Sequence, residues 1–179
     1  MGTFIEMRMK LAAGSRPVRI TLARLPAVAP DALIGLMNDP AVRRHLPLAR
    51  GVFDSAACER FVAAKEAIWA EHGYGPYGFL CNGELVGWGG LQPEGGDVDL
   101  GLVLHPRFWG SGRALYEHFL AEAFGRLRVP SVTVLLPPSR VRVGGLRRLG
   151  FVADGEMLVG GERFLRFRRW APANPAAAP

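Results

Sequence analysis

The sequence predicts a mixed α/β fold, in which a central, mostly antiparallel mixed sheet carries helices on both faces. Two observations lead to this prediction. Residues 78–104 read as three consecutive strands joined by tight turns, which is typical of an antiparallel meander. An amphipathic helix and a further strand at 131–136 follow, and this order indicates one parallel crossover.

Before the meander, the chain has one strand followed by helices. Residues 18–25 alternate apolar and polar side chains as a strand does. Residues 30–46 read as helical with an interruption at Asp39-Pro40, where Asp39 can cap and Pro40 can start a second short helix. A third helix is predicted from a capping residue at 54 or 55 to about Glu71.

The meander is predicted from its turns. Strands at 78–81 and 84–91 flank Asn82-Gly83, which is a strong signal for a two-residue hairpin. A turn at 93–96 leads to the next strand, residues 97–104.

Residues 98–124 combine a buried strand, a glycine-containing turn and an amphipathic helix. The hexapeptide Arg107-x-x-Gly110-x-Gly112 forms the turn, and apolar residues recur at helical spacing after it. Successive backbone amides and a helix N-terminus then point at one place, which suits a phosphate or pyrophosphate. The alternative is a plain connection between strand and helix.

The C-terminal part is predicted as a strand at 131–136, a short helix and two closing strands. The helix begins at Ser139 and ends at Gly150, a typical C-cap glycine. The closing strands, 151–159 and 163–170, flank the turn Gly160-Gly161.

The 179 residues are expected to form a single domain at 18–170, between a loose N-terminal arm (1–17) and a disordered Pro/Ala tail (171–179). Cys58 and Cys81 give neither a disulfide framework nor metal-ligand spacing. The sequence contains no signal peptide and no stretch that could span a membrane, so we expect a cytoplasmic protein, as a monomer or homodimer.

The net charge of +6 indicates anionic partners. A polyphosphate cofactor satisfies this charge as well as nucleic acid would. The basic residues are scattered rather than gathered in one tract, so we do not predict a nucleic-acid-binding domain.

This order of elements resembles the GNAT superfamily of acetyl-CoA-dependent N-acetyltransferases, in particular the branch with ribosomal-protein N-terminal (Rim-type) acetyltransferases. The resemblance covers residues 18–170. It lies in the stretches Arg19-Ile20-Thr21-Leu22-Ala23-Arg24-Leu25, Asn38-Asp39-Pro40-Ala41-Val42, Gly83-Glu84-Leu85-Val86-Gly87, Asp99-Leu100-Gly101-Leu102-Val103-Leu104-His105-Pro106, the glycine turn, and Leu146-Arg147-Arg148-Leu149-Gly150-Phe151.

The resemblance implies that the strands at 97–104 and 131–136 splay apart and admit acetyl-CoA, with no metal. Backbone groups of 102–104 would pair with pantetheine, the amides of 108–114 would hold the pyrophosphate, and Arg107 and Arg113 would add charge. The implied cofactor-binding residues are Leu102, Val103, Leu104, Arg107, Phe108, Trp109, Gly110, Ser111, Gly112, Arg113 and Ala114.

Two candidate catalytic residues follow from the same resemblance. Asp99 occupies the position where this branch usually carries Glu, and it could accept the amine proton through water. The alternative is that Asp99 is only a solvent-exposed carboxylate on the strand. Asp97, on the same face of the strand, is the second choice for the base. Leu146 replaces the family's usual thiolate-protonating Tyr, and Ser139 could serve instead or act only as an N-cap.

The expected activity is transfer of an acetyl group to a primary amine, of a peptide N-terminus or a small molecule, by direct attack. The alternative is a catalytically silent acyl-CoA-binding or sensor domain on the same fold. In this fold, the loop at 43–54 lies over the acceptor cleft. It carries Arg43, Arg44, His45 and Arg50, which would disfavour polycationic amines. Alternatively, these side chains point to solvent or to the cofactor.

Overall fold

The computed structural model describes residues 5–10, 17–140 and 143–173. The strands are β1 (Ile5–Lys10), β2 (Pro17–Arg24), β3 (Pro76–Cys81), β4 (Glu84–Glu94), β5 (Asp97–Leu104), β6 (Ser131–Leu136), β7 (Val152–Val159) and β8 (Glu162–Trp170). The α-helices are α1 (Pro30–Asn38), α2 (Pro40–Arg43), α3 (Ser55–His72), α4 (Arg113–Ala121) and α5 (Gly144–Arg148). Short 3₁₀ turns cover Leu25–Ala27 and Pro106–Phe108, and a π-helical turn, Glu122–Arg126, extends α4.

Within the described residues, the strands form one eight-stranded sheet in the order β1-β2-β3-β4-β5-β6-β8-β7. The neighbours β5 and β6 are parallel, and the other neighbouring pairs are antiparallel. Apolar residues of α4 pack on one hydrophobic cluster with the strands, whereas α1 and α3 contribute to a second cluster. The predicted mixed sheet with helices is confirmed.

The local signals that the sequence carries for the first half of the chain correspond to real caps and turns. The Asp39 carboxylate accepts the amides of Ala41 and Val42 at 2.8 and 3.1 Å, so it ends α1 and starts α2. The hairpin residues Asn82 and Gly83 have φ values of 52° and 85°, the left-handed pair that a tight hairpin requires.

The prediction of a loose N-terminal arm is wrong for residues 5–10. This segment is strand β1, which pairs antiparallel with β2 over six residues. Ile5 and Met7 pack against the core, while Glu6 and Arg8 are exposed, so the segment has the alternation of an edge strand. Residues 1–4 and 11–16 of the predicted arm, and 174–179 of the predicted tail, lie outside the described residues.

The short helix predicted from Ser139 begins later, at Gly144. Residues 137–140 form a turn closed by the Arg140 amide and the Pro137 carbonyl at 2.9 Å. Another boundary also differs: β4 continues to Glu94, and Gly95-Gly96 make the turn that was predicted at 93–96.

Arg168 of β8 binds side chains of three other strands, β5, β6 and β7. Its guanidinium binds both carboxylate oxygens of Asp97 at 2.7 and 2.8 Å, and it also reaches Asp154 and Ser131. Its side chain is 12% exposed, so this network is largely shielded from water. A cation in this position balances two carboxylates that would otherwise repel each other.

We expect Arg168→Leu to lower the free energy of unfolding by about 2 kcal/mol, because Asp97 and Asp154 lose their least exposed cation and keep only Arg166, at 3.8 and 2.9 Å. Urea denaturation would measure this effect. Arg163→Leu on the same strand removes an exposed pair with Glu156 and should change the free energy by less than about 0.5 kcal/mol. Equal effects of the two substitutions would contradict the role of the network.

Among the described residues, no helix is long and apolar enough to cross a membrane.

Candidate active site

A cleft opens where the two parallel strands separate. In the described residues, β5 and β6 are in register at one pair, Asp99 and Thr133, and they diverge beyond it. The resulting cleft has a volume of about 550 Å³ and is lined by Leu102–Leu104 of β5 and Val134–Leu136 of β6. This confirms the splayed parallel pair, and a volume of this size is typical of small-molecule sites.

Asp99 lies at the fork of the two strands and is 3% exposed. The Thr133 hydroxyl donates to its carboxylate at 3.2 Å, and the nearby Gln92 side chain and Leu135 amide favour its charged form. Burial raises the pKa of Asp99 to about 7, and the negative charge of Glu94 acts in the same direction. Asp99 is therefore not the solvated strand carboxylate of the alternative interpretation.

Asp97, the second choice for a base, is engaged elsewhere. Its bidentate hydrogen bonds with Arg168 hold the pKa of its carboxyl below the usual range. A carboxylate with a lowered pKa and a bound guanidinium is a poor proton acceptor, and Asp97 does not line the cleft.

The glycine turn presents a smaller set of amides than the sequence predicts. The amides of Phe108, Trp109 and Ser111 donate to carbonyls inside the turn. Within the described residues, the amides of Gly110, Gly112, Arg113 and Ala114 have no backbone acceptor in the turn, and the last two open α4. These amides at a helix N-terminus fit the pyrophosphate that the sequence predicts there.

The charged and aromatic residues of the turn have partners of their own. Arg107 is exposed, and Arg113 forms an ion pair with Glu117 at 2.7 Å. The Trp109 indole donates to the Leu104 carbonyl at 2.8 Å. A pantetheine arm that pairs with residues 102–104 would thus have to share or replace this bond at Leu104.

Ser139 does not line the cleft, although its neighbours Pro137 and Arg140 do. Its hydroxyl is 2.9 Å from Nδ1 of His45, so it joins the loop after α2 to the turn after β6. It is not the N-cap of α5, because that position is Val143. Leu146, at the usual tyrosine position, is buried in the hydrophobic core.

Two further polar residues, Tyr116 and Lys65, line the cleft and are not among the predicted site residues. Tyr116 of α4 faces it, with its ring edge-to-face against Phe151 at 6.3 Å. Burial raises the pKa of Tyr116, and the nearby Asp99 carboxylate adds to this shift. Lys65 of α3 is the other residue. The sequence predicts that both residues lie in helices. The side on which each side chain lies depends on how α3 and α4 pack on the sheet, which the sequence alone does not give.

The loop at 43–54 places only part of its positive charge at the cleft. His45 and Arg50 line it, and Arg50 is 3.5 Å from Glu162. Arg43 instead donates to the Ala49 carbonyl at 3.1 Å and holds the loop, while Arg44 is exposed. Many of the other residues that line the cleft are apolar, among them Phe53, Phe61, Trp88, Val159 and Phe164.

A splayed parallel pair, a buried carboxylate at its fork and a helix N-terminus beside it together form the candidate site. The sequence model of the acetyltransferase (GNAT) domain matches residues 19–151. This match spans well over half of the chain, so the chain belongs to the GNAT acetyltransferase family.

Solved structures with the same fold agree with this assignment. An acetyltransferase from Agrobacterium tumefaciens has 22% identity and a TM-score of 0.68, over 92% of this chain and 94% of that chain. RimJ of Mycobacterium smegmatis, in complex with CoA-disulfide, has 18% identity and a TM-score of 0.67, over 96% and 88%. The ribosomal-protein-S5-alanine acetyltransferase from Vibrio fischeri has 13% identity and a TM-score of 0.67, over 94% and 98%.

Proposed function

We propose that this acetyltransferase transfers the acetyl group of acetyl-CoA to a primary amine by direct attack. The acceptor is a peptide N-terminus or a small-molecule amine. The observation that carries the proposal is the buried Asp99 carboxylate at the fork of β5 and β6, because it lines the same cleft as the open edge of β5 at residues 102–104.

The residues present fit acetyl-CoA. The amides of Gly110, Gly112, Arg113 and Ala114 would hold the pyrophosphate, and the open edge of β5 would hold the pantetheine arm. Acetyl-CoA supplies a thioester whose carbonyl carbon is open to attack by an uncharged amine.

Asp99 would remove the proton that keeps the acceptor amine charged. A carboxyl with a pKa of about 7 is partly ionised at neutral pH, and it can accept a proton and release it again. Its deep position favours a relay through water over direct contact with the amine.

Tyr116 would act at the leaving sulfur. Its raised pKa keeps the hydroxyl protonated at neutral pH, so it can donate a hydrogen bond in the cleft. We expect Tyr116→Phe to lower kcat about tenfold and leave the affinity for acetyl-CoA within about twofold. Steady-state kinetics and calorimetry would measure the two quantities.

The matched control for this variant is Tyr74→Phe, because Tyr74 does not line the cleft and packs beside His72. It should keep full activity. An unchanged kcat in Tyr116→Phe would remove Tyr116 from the mechanism.

Direct attack requires no acetylated enzyme. In the described residues, neither Cys58 nor Cys81 lines the cleft. After incubation with acetyl-CoA alone, the intact mass of the protein should be unchanged. An acetyl group retained on a side chain of the cleft would contradict direct attack.

A panel of amines and peptides, assayed by release of the free thiol, tests the function itself. Turnover with at least one amine separates an enzyme from a silent acyl-CoA-binding domain. Kanamycin and spermine should be poor acceptors, because three cations (Arg50, Lys65 and Arg140) outnumber the two carboxylates (Glu94 and Asp99) among the described residues that line the cleft.

A further inference from the structure

Lys65 places a positive charge in the cleft, next to Phe61 and Trp88. Its ammonium donates to the Gln92 side-chain oxygen at 2.9 Å. It also lies 5.5 Å from the ring centroid of Trp88 and 5.6 Å from that of Phe61, within the range of cation–π attraction. The amide and the two rings hold the charge in a fixed place.

No carboxylate of the described residues lies within ion-pair distance of this charge, although Glu94 and Asp99 of the same cleft act on it from farther away and raise its pKa. Within residues 5–10, 17–140 and 143–173, Lys65 forms no ion pair, and Gln92 is its one hydrogen-bond acceptor. An ammonium has three N–H donors, so two remain for a ligand. Burial acts more strongly than these two carboxylates and lowers the pKa of Lys65, which shows that the surroundings disfavour an unpaired charge at this position.

The ammonium is also close to the proposed base. Gln92 accepts a hydrogen bond from Lys65 through its side-chain oxygen and lies opposite Asp99 in the pairing of β4 with β5, so the Gln92 side chain stands between the two. An α-amino acid separates its amine from its carboxylate by one carbon. An amine presented to Asp99 would therefore bring a neighbouring carboxylate within reach of Lys65.

We propose that Lys65 binds the carboxylate of the acceptor, and that the acceptor is a free amino acid with an apolar side chain. The inference rests on the proposed acetyl transfer. The apolar walls at Phe53, Phe61 and Trp88 suit the side chain. The cleft of about 550 Å³ must hold the acetylated arm and the acceptor together, which favours a small molecule.

The test compares three acceptors that share one amine and one ring: L-phenylalanine, L-phenylalaninamide and phenethylamine. Their kcat/KM values are measured by thiol release with the wild type, Lys65→Met and Lys65→Arg. Lys65→Met should lower kcat/KM for L-phenylalanine by about tenfold or more, and for phenethylamine by less than about twofold. Lys65→Arg should keep most of the preference for the carboxylate.

Arg19→Met is the matched control, because it removes a charge from an exposed pair outside the cleft. It should leave all three values unchanged. An equal loss for the three acceptors in Lys65→Met would overturn the proposal and leave Lys65 as a support for Gln92. If other amines are acetylated without any preference for a carboxylate, this inference alone fails. If no amine is acetylated, the proposed function fails with it.

Discussion

Asp99→Asn should lower turnover by about 100-fold at pH 7 while the affinity for acetyl-CoA stays within about twofold. Asparagine keeps the size of the side chain and can still bind Thr133 and Gln92, but it cannot accept a proton. Steady-state kinetics by thiol release and calorimetry would separate the two effects.

The same residue also predicts how the rate of the wild type changes with pH. The carboxylate is the active form, and the pKa of Asp99 is raised to about 7, so the wild-type rate should rise as the pH increases through 7 and level off above it. The variant should lack this rise, and its deficit should shrink at high pH, where amines lose their protons unaided.

Asp97→Asn is the matched control on the same strand. Asp97 is bound to Arg168 and lies outside the cleft, so the variant should keep the wild-type pH profile even if it is less stable. A wild-type profile in Asp99→Asn would show that Asp99 is a structural carboxylate.

Gly112→Val should weaken acetyl-CoA binding by about 30-fold or more. A Cβ at Gly112 would lie 3.4 Å from a methyl of Leu104 and 3.6 Å from one of Leu102, so a single methyl fits and a branched side chain does not. The first turn of α4 would move away from β5 and carry its amides with it. Each lost hydrogen bond to a charged group is worth about 1.5–3 kcal/mol.

Gly112→Ala is the control, because its methyl stays at ordinary contact distance. It should bind acetyl-CoA within about threefold of the wild type, and both variants should melt cooperatively. Equal affinities of the valine variant and the wild type would show that the amides at the start of α4 do not hold the pyrophosphate.

The sequence predicted those elements whose signals are local. Asp39, Asp54 and Asn82-Gly83 act through their nearest neighbours in the chain, and each forms the predicted cap or turn. The glycine turn is also a local pattern, and it lies where the sequence placed it.

The features that the sequence did not predict depend on contacts between segments that are distant in the chain. Strand β1 is stabilised by pairing with β2, so the short alternation at residues 5–8 was weak evidence alone. The burial of Asp99 comes from Gln92 and Thr133 on its two neighbouring strands. Lys65 and Tyr116 reach the cleft only because of the way in which α3 and α4 pack on the sheet.

The most direct test of acetyl transfer to an amine is a paired measurement of both products in one reaction. The protein is incubated with acetyl-CoA and an acceptor from the panel, free thiol is titrated, and the acetylated amine is quantified by mass spectrometry. We predict one N-acetyl amide for each thiol released, at a rate that falls in Asp99→Asn. Thiol release without any acetylated amine, or no release with any acceptor, would contradict the proposal.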